Sequence, residues 1–188
     1  MAKSINFYLD KFLGIEIIRS RPKEAIQYAK NYFKNKAIIA IEIGVHKGQN
    51  SEDLLKNLNI KKIYLIDPYL KYGDYKKDAN YSNINFMEKA AKKRLQRFHK
   101  KIVWIKAFSE KAIAKISEKV DLVYVDGNHE YNYVKKDLSI YWKKLNKGGI
   151  LSGHDIQYLG VSKALLEFSE KNKVQIHFGD RRDWWIIK

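Results

Sequence analysis

Along the chain, short unbroken apolar runs alternate with stretches in which apolar residues recur every three or four positions, a pattern that predicts buried strands separated by amphipathic helices. Ala37–Ile43 is apolar on both faces apart from Glu42, as a central parallel strand is. Lys62–Pro68, Lys101–Lys106, Val120–Asp126 and Ile150–Asp155 read as further strands. Helical spacing joins Ala25, Ile26, Ala29, Tyr32 and Phe33, with Pro22 suited to a first helical position. It recurs in Leu54, Leu55 and Leu58, in a basic stretch from Phe86 to about Lys100, and in Val134, Leu138, Tyr141 or Trp142 and Leu145, closed by Lys147-Gly148-Gly149. After a helix over Val161–Lys171, the strands Val174–Phe178 and Trp184–Lys188 have no helix between them, so they pair as a hairpin. The expectation is a three-layer α/β domain whose sheet of seven strands is mostly parallel with an antiparallel last strand.

The chain of 188 residues reads as a single domain over 1–188, with an N-terminal arm and helix over 1–35 that lines a site or a dimer contact. Residues 71–85 lack apolar periodicity and read as a loop insertion. Its Tyr72, Tyr75 and Tyr81 suit the wall of a substrate site and equally an ordinary surface. There is no cysteine, which excludes disulfides, thiolate metal sites and cysteine nucleophiles. No apolar run approaches the ~20 residues that cross a bilayer, and the first residues lack the signal-peptide order, so the expectation is a cytoplasmic protein with no membrane partner. The net charge of +16 would point to nucleic acid, yet only Arg19, Arg21, Arg94, Arg97, Arg181 and Arg182 are arginine. A lysine-coated, solvated surface accounts for most of the excess.

The candidate chemistry gathers where predicted strands end. Ile43-Gly44-Val45-His46-Lys47-Gly48 is a tight turn into a helix, and its glycines permit positive φ and close approach of a nucleoside. The spacing is neither that of a dinucleotide fold nor of a P-loop. Glu42 would repel a pyrophosphate there and attract an ammonium or sulfonium. Asp67 lies about 20 residues beyond the turn, where nucleoside-binding folds place an acid for ribose hydroxyls, although Asp67-Pro68 also suits a plain turn. Here the chain resembles the class I S-adenosylmethionine-dependent methyltransferases, with their Rossmann-like sheet. That resemblance implies a donor site of Glu42, Gly44, Val45, Gly48, Asp67, Ser109 and Asp126, with the loop at Ser109 bordering adenine. Ser109 serves equally as a helix cap.

Two neighbouring strands deliver Asp126, His129, His154 and Asp155 to one edge. Asp126, His154 and Asp155 are oxygen and imidazole donors suited to a divalent ion, magnesium or manganese first. Asp126 and His129 are the catalytic candidates, His129 placed to accept a proton. The set is similar to that of the metal-assisted small-molecule and sugar O-methyltransferases. A fuller resemblance, from about residue 37 onward, is to a methyltransferase group with Asp-Gly-x-His-x-Tyr and Gly-His-Asp after its fourth and fifth strands, present here as Asp126–Tyr131 and Gly153–Asp155. What this implies is methyl transfer to a hydroxyl of a small molecule or sugar. The alternatives are an RNA or nucleotide methyltransferase, disfavoured for amino methylation because no Asn/Asp-Pro-Pro-Tyr follows the fourth strand, and a non-catalytic protein that binds the donor. His46, His99 and His177 show no convergence, and Glu110 and Glu130 read as solvated charges at helix starts.

Overall fold

The structure is a computed structural model that describes residues 22–72, 83–180 and 182–188. The N-terminal arm before Pro22, and Tyr75 and Tyr81 of the loop insertion, lie outside the described residues. In chain order the elements are α1 (Glu24–Phe33), β1 (Ile38–Ile43), α2 (Gln49–Asn57), β2 (Ile60–Ile66), α3 (Ile84–Arg94), β3 (Ile102–Ile105), the single turn α4 (Ser109–Ala112), β4 (Val120–Val125), α5 (Tyr131–Lys144), β5 (Leu145–Gly153), α6 (Leu159–Asn172), β6 (His177–Phe178) and β7 (Trp184–Ile187). They build one seven-stranded sheet in the order β3-β2-β1-β4-β5-β7-β6. β1, β2, β3, β4 and β5 pair in parallel, while β7 runs antiparallel to both β5 and β6. This is the expected architecture.

The period of two along the strands sorts side chains onto two faces. Ala40 of β1 with Leu122 and Tyr124 of β4 packs under α1, α2 and α3, through Ile26, Ala29, Leu54, Met87 and Ala91. Ile41 and Ile43 with Val123 and Val125 point the other way, into Val134, Leu138 and Tyr141 of α5 and Val161 and Leu165 of α6. Both faces of β1 and β4 are therefore dry. Glu42 shares the face of Ala40, so it is buried beneath α2.

Several boundaries differ from the sequence expectation, each for a local reason. The first helix begins at Glu24 with Lys23 at its N-cap, which leaves Pro22 before the cap. The basic helix stops at Arg94 and tightens into a 3-10 turn over Gln96–Lys101, because the buried stripe Met87, Ala91 and Leu95 ends there. β5 starts at Leu145, so Gly148 and Gly149 sit inside the strand and pair with the Lys188 backbone at 2.8 and 2.9 Å. Val174 is held by its N–H on the Ser169 carbonyl at the end of α6, 3.1 Å away, and only His177 and Phe178 remain to form β6. No helix among the described residues is long and apolar enough to cross a membrane.

Candidate active site at the carboxyl ends of the strands

The parallel strands β1, β2, β4 and β5 all end on one side of the sheet, and the loops after them carry Gly44–Gly48, Asp67–Tyr69, Asp126–His129 and His154–Asp155. Gly44 joins three of the strands: its N–H donates to Ile66 O at 2.9 Å, and Ile43 O accepts from Asp126 N at 2.8 Å. It sits at φ +87°, and a Cβ there would lie 2.0 Å from the Asp126 carbonyl oxygen. The chain's own backbone, rather than room for a ligand, is what demands glycine at this position.

Asp67 ties the turn to β2. Its Oδ2 accepts from Val45 N at 3.0 Å and His46 N at 2.9 Å, and its Oδ1 from Tyr69 N at 2.7 Å. Burial pushes its carboxyl above the ordinary range despite these bonds. The carboxylate lines a cleft shared with Gly44, His46, Tyr69, Ser109, Asp126 and Asp137. Tyr72, Phe108 and Tyr133 wall the cleft, with Tyr72 edge-on to Phe108 at 4.8 Å and to Tyr133 at 5.5 Å between ring centroids. Ser109 is the first residue of α4 rather than its cap. Its hydroxyl donates to Asp137 of α5, whose burial pushes the carboxyl up to about 7.

Glu42 does not face this cleft. Its Oε1 accepts from Asn50 Nδ2 at 3.0 Å and its Oε2 from the Ser51 hydroxyl, and burial pushes its carboxyl up to about 7. Asn50 Oδ1 is buried with no hydrogen-bond partner among the described residues.

On the other side of Asp126 lies a smaller hollow that His129 and His154 help to line. His154 Nδ1 stands 3.1 Å from Asp155 Oδ1 and 4.0 Å from Asp126 Oδ1, and one ligand atom from each of the three residues falls within 4.8 Å of the others. The outer oxygens are already engaged: Lys23 Nζ is 2.9 Å from Asp126 Oδ2, and His129 Nε2 is 3.0 Å from Asp155 Oδ2. Burial raises the Asp155 carboxyl, but the hydrogen bonds from His129, His154 and Gln157 outweigh it and hold it below the usual range. The His129 ring stacks on Tyr158, 4.3 Å between centroids and 10° from parallel. Gly160 makes that approach feasible, since a Cβ there would lie 2.2 Å from the His129 carbonyl oxygen.

A family model described as a methyltransferase domain matches residues 41–156. The chain belongs to that family. Its fold is that of the class I S-adenosylmethionine-dependent methyltransferases. A Staphylococcus aureus protein provisionally described as a caffeoyl-CoA O-methyltransferase superposes with a TM-score of 0.66 at 15% identity, over 99% of this chain and 93% of that one. A Clostridium thermocellum protein, likewise provisionally described, as an rRNA methylase, gives 0.61 at 14% identity, over 90% and 98%. In sequence, an uncharacterised protein of Acanthamoeba polyphaga mimivirus is 28% identical over 135 residues, 68% of this chain and 55% of that protein. The chain thus spans about half the length of the curated relative it matches.

The donor that the methyltransferase fold implies, and the divalent ion that the resemblance to metal-assisted O-methyltransferases implies, can each be set against these residues. For the cationic donor, an orphaned buried acceptor on Asn50 lies beside the Glu42 carboxyl, and Asp67 lines an aromatic-walled cleft. For a divalent ion, two carboxylates and an imidazole supply a suitable donor set. The spacing of motifs did not point to Lys23, Asp137, Tyr158 or Asp183, whose Oδ1 is 3.7 Å from His154 Nε2. Asp137 carried a readable signal: it shares the apolar stripe of Val134, Leu138 and Tyr141, where a carboxylate has no ordinary place.

Proposed function

We propose that this methyltransferase domain binds S-adenosylmethionine and transfers its methyl group to a hydroxyl of a small molecule or sugar. The observation that carries the reading is that two hollows meet at Asp126-Gly127-Asn128, one walled by aromatics and bordered by Asp67, the other flanked by His129 and His154. Asp67 would accept hydrogen bonds from the ribose, the Ser109–Asp137 pair would border the adenine, and the Asn50 side-chain oxygen, held by Glu42 behind it, would receive the methionine ammonium. Gly44, Val45 and Gly48 shape the turn beneath it.

On the acceptor side, Asp155 Oδ2 accepts a hydrogen bond from His129 Nε2, which would orient the imidazole as the proton acceptor. The acceptor hydroxyl gives its proton to His129 as its oxygen bonds to the methyl carbon. The sulfur–methyl bond breaks with its electron pair going to sulfur, leaving S-adenosylhomocysteine. Alignment of oxygen, methyl and sulfur is the main requirement of such a displacement. A divalent ion, magnesium or manganese, held by Asp126, His154 and Asp155 would supply positive charge to the acceptor oxygen.

The net charge of +16 favours RNA as a second acceptor class. Against it, the described lining of the donor cleft carries Asp67, Glu110, Asp126 and Asp137 but only Lys136 among lysines and arginines. Calorimetry with S-adenosylhomocysteine tests the donor. A screen of metabolite and RNA pools for labelled methyl products, with and without chelator, tests the acceptor. The expected result is donor binding by the native protein and His129→Gln alike, with product only from the native protein. Absence of binding at millimolar donor product, or undiminished product from His129→Gln, would refute the respective assignments.

A further inference from the structure

Lys23 is a lysine in a place that lysines seldom occupy. Its side chain is 10% exposed, its ammonium is 2.9 Å from Asp126 Oδ2, and the same nitrogen sits 5.1 Å from the centre of the Tyr124 ring. The carboxylate and the aromatic face together offset the cost of burying the charge. The anchoring is long-range as well as local. The first turn of the helix is pinned where Ala25 N donates to Asp183 Oδ2 at 3.2 Å, so α1 is docked against the start of β7 with Lys23 directed at the cluster.

This lysine shares Asp126 with the three-residue group that suits a divalent ion. Asp126 Oδ2 is taken by the ammonium, so only Oδ1, the oxygen 4.0 Å from His154 Nδ1, is left toward the group. An ion bound there would stand within a few ångströms of a buried cation in poorly screened surroundings, and the two would repel each other.

We infer that Lys23 and a divalent ion compete for Asp126, so that Lys23 is the residue that sets how tightly this domain holds metal at its acceptor site. The inference rests on the assignment of Asp126, His154 and Asp155 as metal ligands. In the lysine-paired state the ammonium supplies the positive charge beside Asp126. Entry of an ion weakens or breaks the Lys23–Asp126 pair and frees the second carboxylate oxygen.

The test is a manganese titration of the full chain followed by the electron paramagnetic resonance signal of free Mn²⁺, with no donor or acceptor present. Lys23→Met and Lys23→Gln remove the charge while keeping an extended stem, and Lys23→Arg keeps it; thermal melts by circular dichroism confirm that each is folded. Both neutral variants should bind one Mn²⁺ tighter than the native protein by about tenfold or more, a modest share of the repulsion expected at this range. Lys23→Arg should bind like the native protein, and adding Asp155→Asn to Lys23→Met should remove the tight site. If the native protein binds Mn²⁺ and the neutral variants bind it equally or more weakly, competition is overturned while the metal assignment stands. If neither the native protein nor the neutral variants bind Mn²⁺, the metal assignment itself falls and takes the inference with it.

Discussion

Glu42→Gln separates what the buried carboxyl contributes to binding from what it costs the fold. Glu42 is 0% exposed, and burial, with a smaller push from Asp126, raises its pKa from 4.5 to about 7, against the hydrogen bonds of Ser51 and Asn50. Below about pH 4.5 the group is protonated in both the folded and unfolded chains. As pH rises toward 7 the unfolded chain releases its proton first, so the stability linked to this group is full at low pH and is lost as pH climbs through the folded value. At 1.36 kcal/mol for each tenfold, the whole loss is about 3 kcal/mol. Gln keeps the shape and one acceptor but does not titrate. Urea denaturation of both proteins at pH 5 and pH 8 should therefore show Glu42→Gln gaining on the native protein by about 2–3 kcal/mol between the two. Asp137, also raised to about 7, titrates in both proteins and cancels in the comparison. A stability difference equal at the two pH values would refute the argument that Glu42 titrates within the folded state. The same reasoning predicts that S-adenosylhomocysteine, whose ammonium favours the ionised carboxylate, binds the native protein more tightly at pH 8 than at pH 6. Glu42→Gln should flatten that trend.

Two further substitutions probe the turn. Gly44→Ala drives a Cβ to 2.0 Å from the Asp126 carbonyl oxygen at a backbone φ of +87°; it should cost more than ~2 kcal/mol by urea denaturation and abolish donor binding by calorimetry. Asp67→Ala removes the acceptor of three backbone N–H groups, those of Val45, His46 and Tyr69. It should cost about 1–3 kcal/mol and lower S-adenosylhomocysteine affinity at least about tenfold, seen as loss of the ligand-induced rise in melting temperature.

How far the sequence reveals this molecule depends on how far apart the interacting residues stand along it. β1 and β4 are legible because both faces of each strand are apolar, and the hairpin of β6 and β7 because no helix intervenes. The turn at Gly44 and the acid at Asp67 are legible because each directly follows an apolar run that reads as a strand. The reason Gly44 is glycine is not, since its constraint comes from a carbonyl eighty-two positions later. The same holds for Lys23 and Asp126, 103 residues apart, and for Ala25 and Asp183, 158 apart. A lysine beside a proline at a helix start carries no periodicity to distinguish it from a solvated one. Only docking of α1 across the sheet turns it into a buried cation. Asp126 is where these invisible contacts converge: its carbonyl fills the space beside Gly44, its N–H closes onto β1, and its two carboxylate oxygens face Lys23 on one side and His154 on the other. Any change that moves the end of β4 is therefore felt at the Gly44 turn and at the His154–Asp155 cluster together. Their coupling through one residue is a property of the fold rather than of either motif.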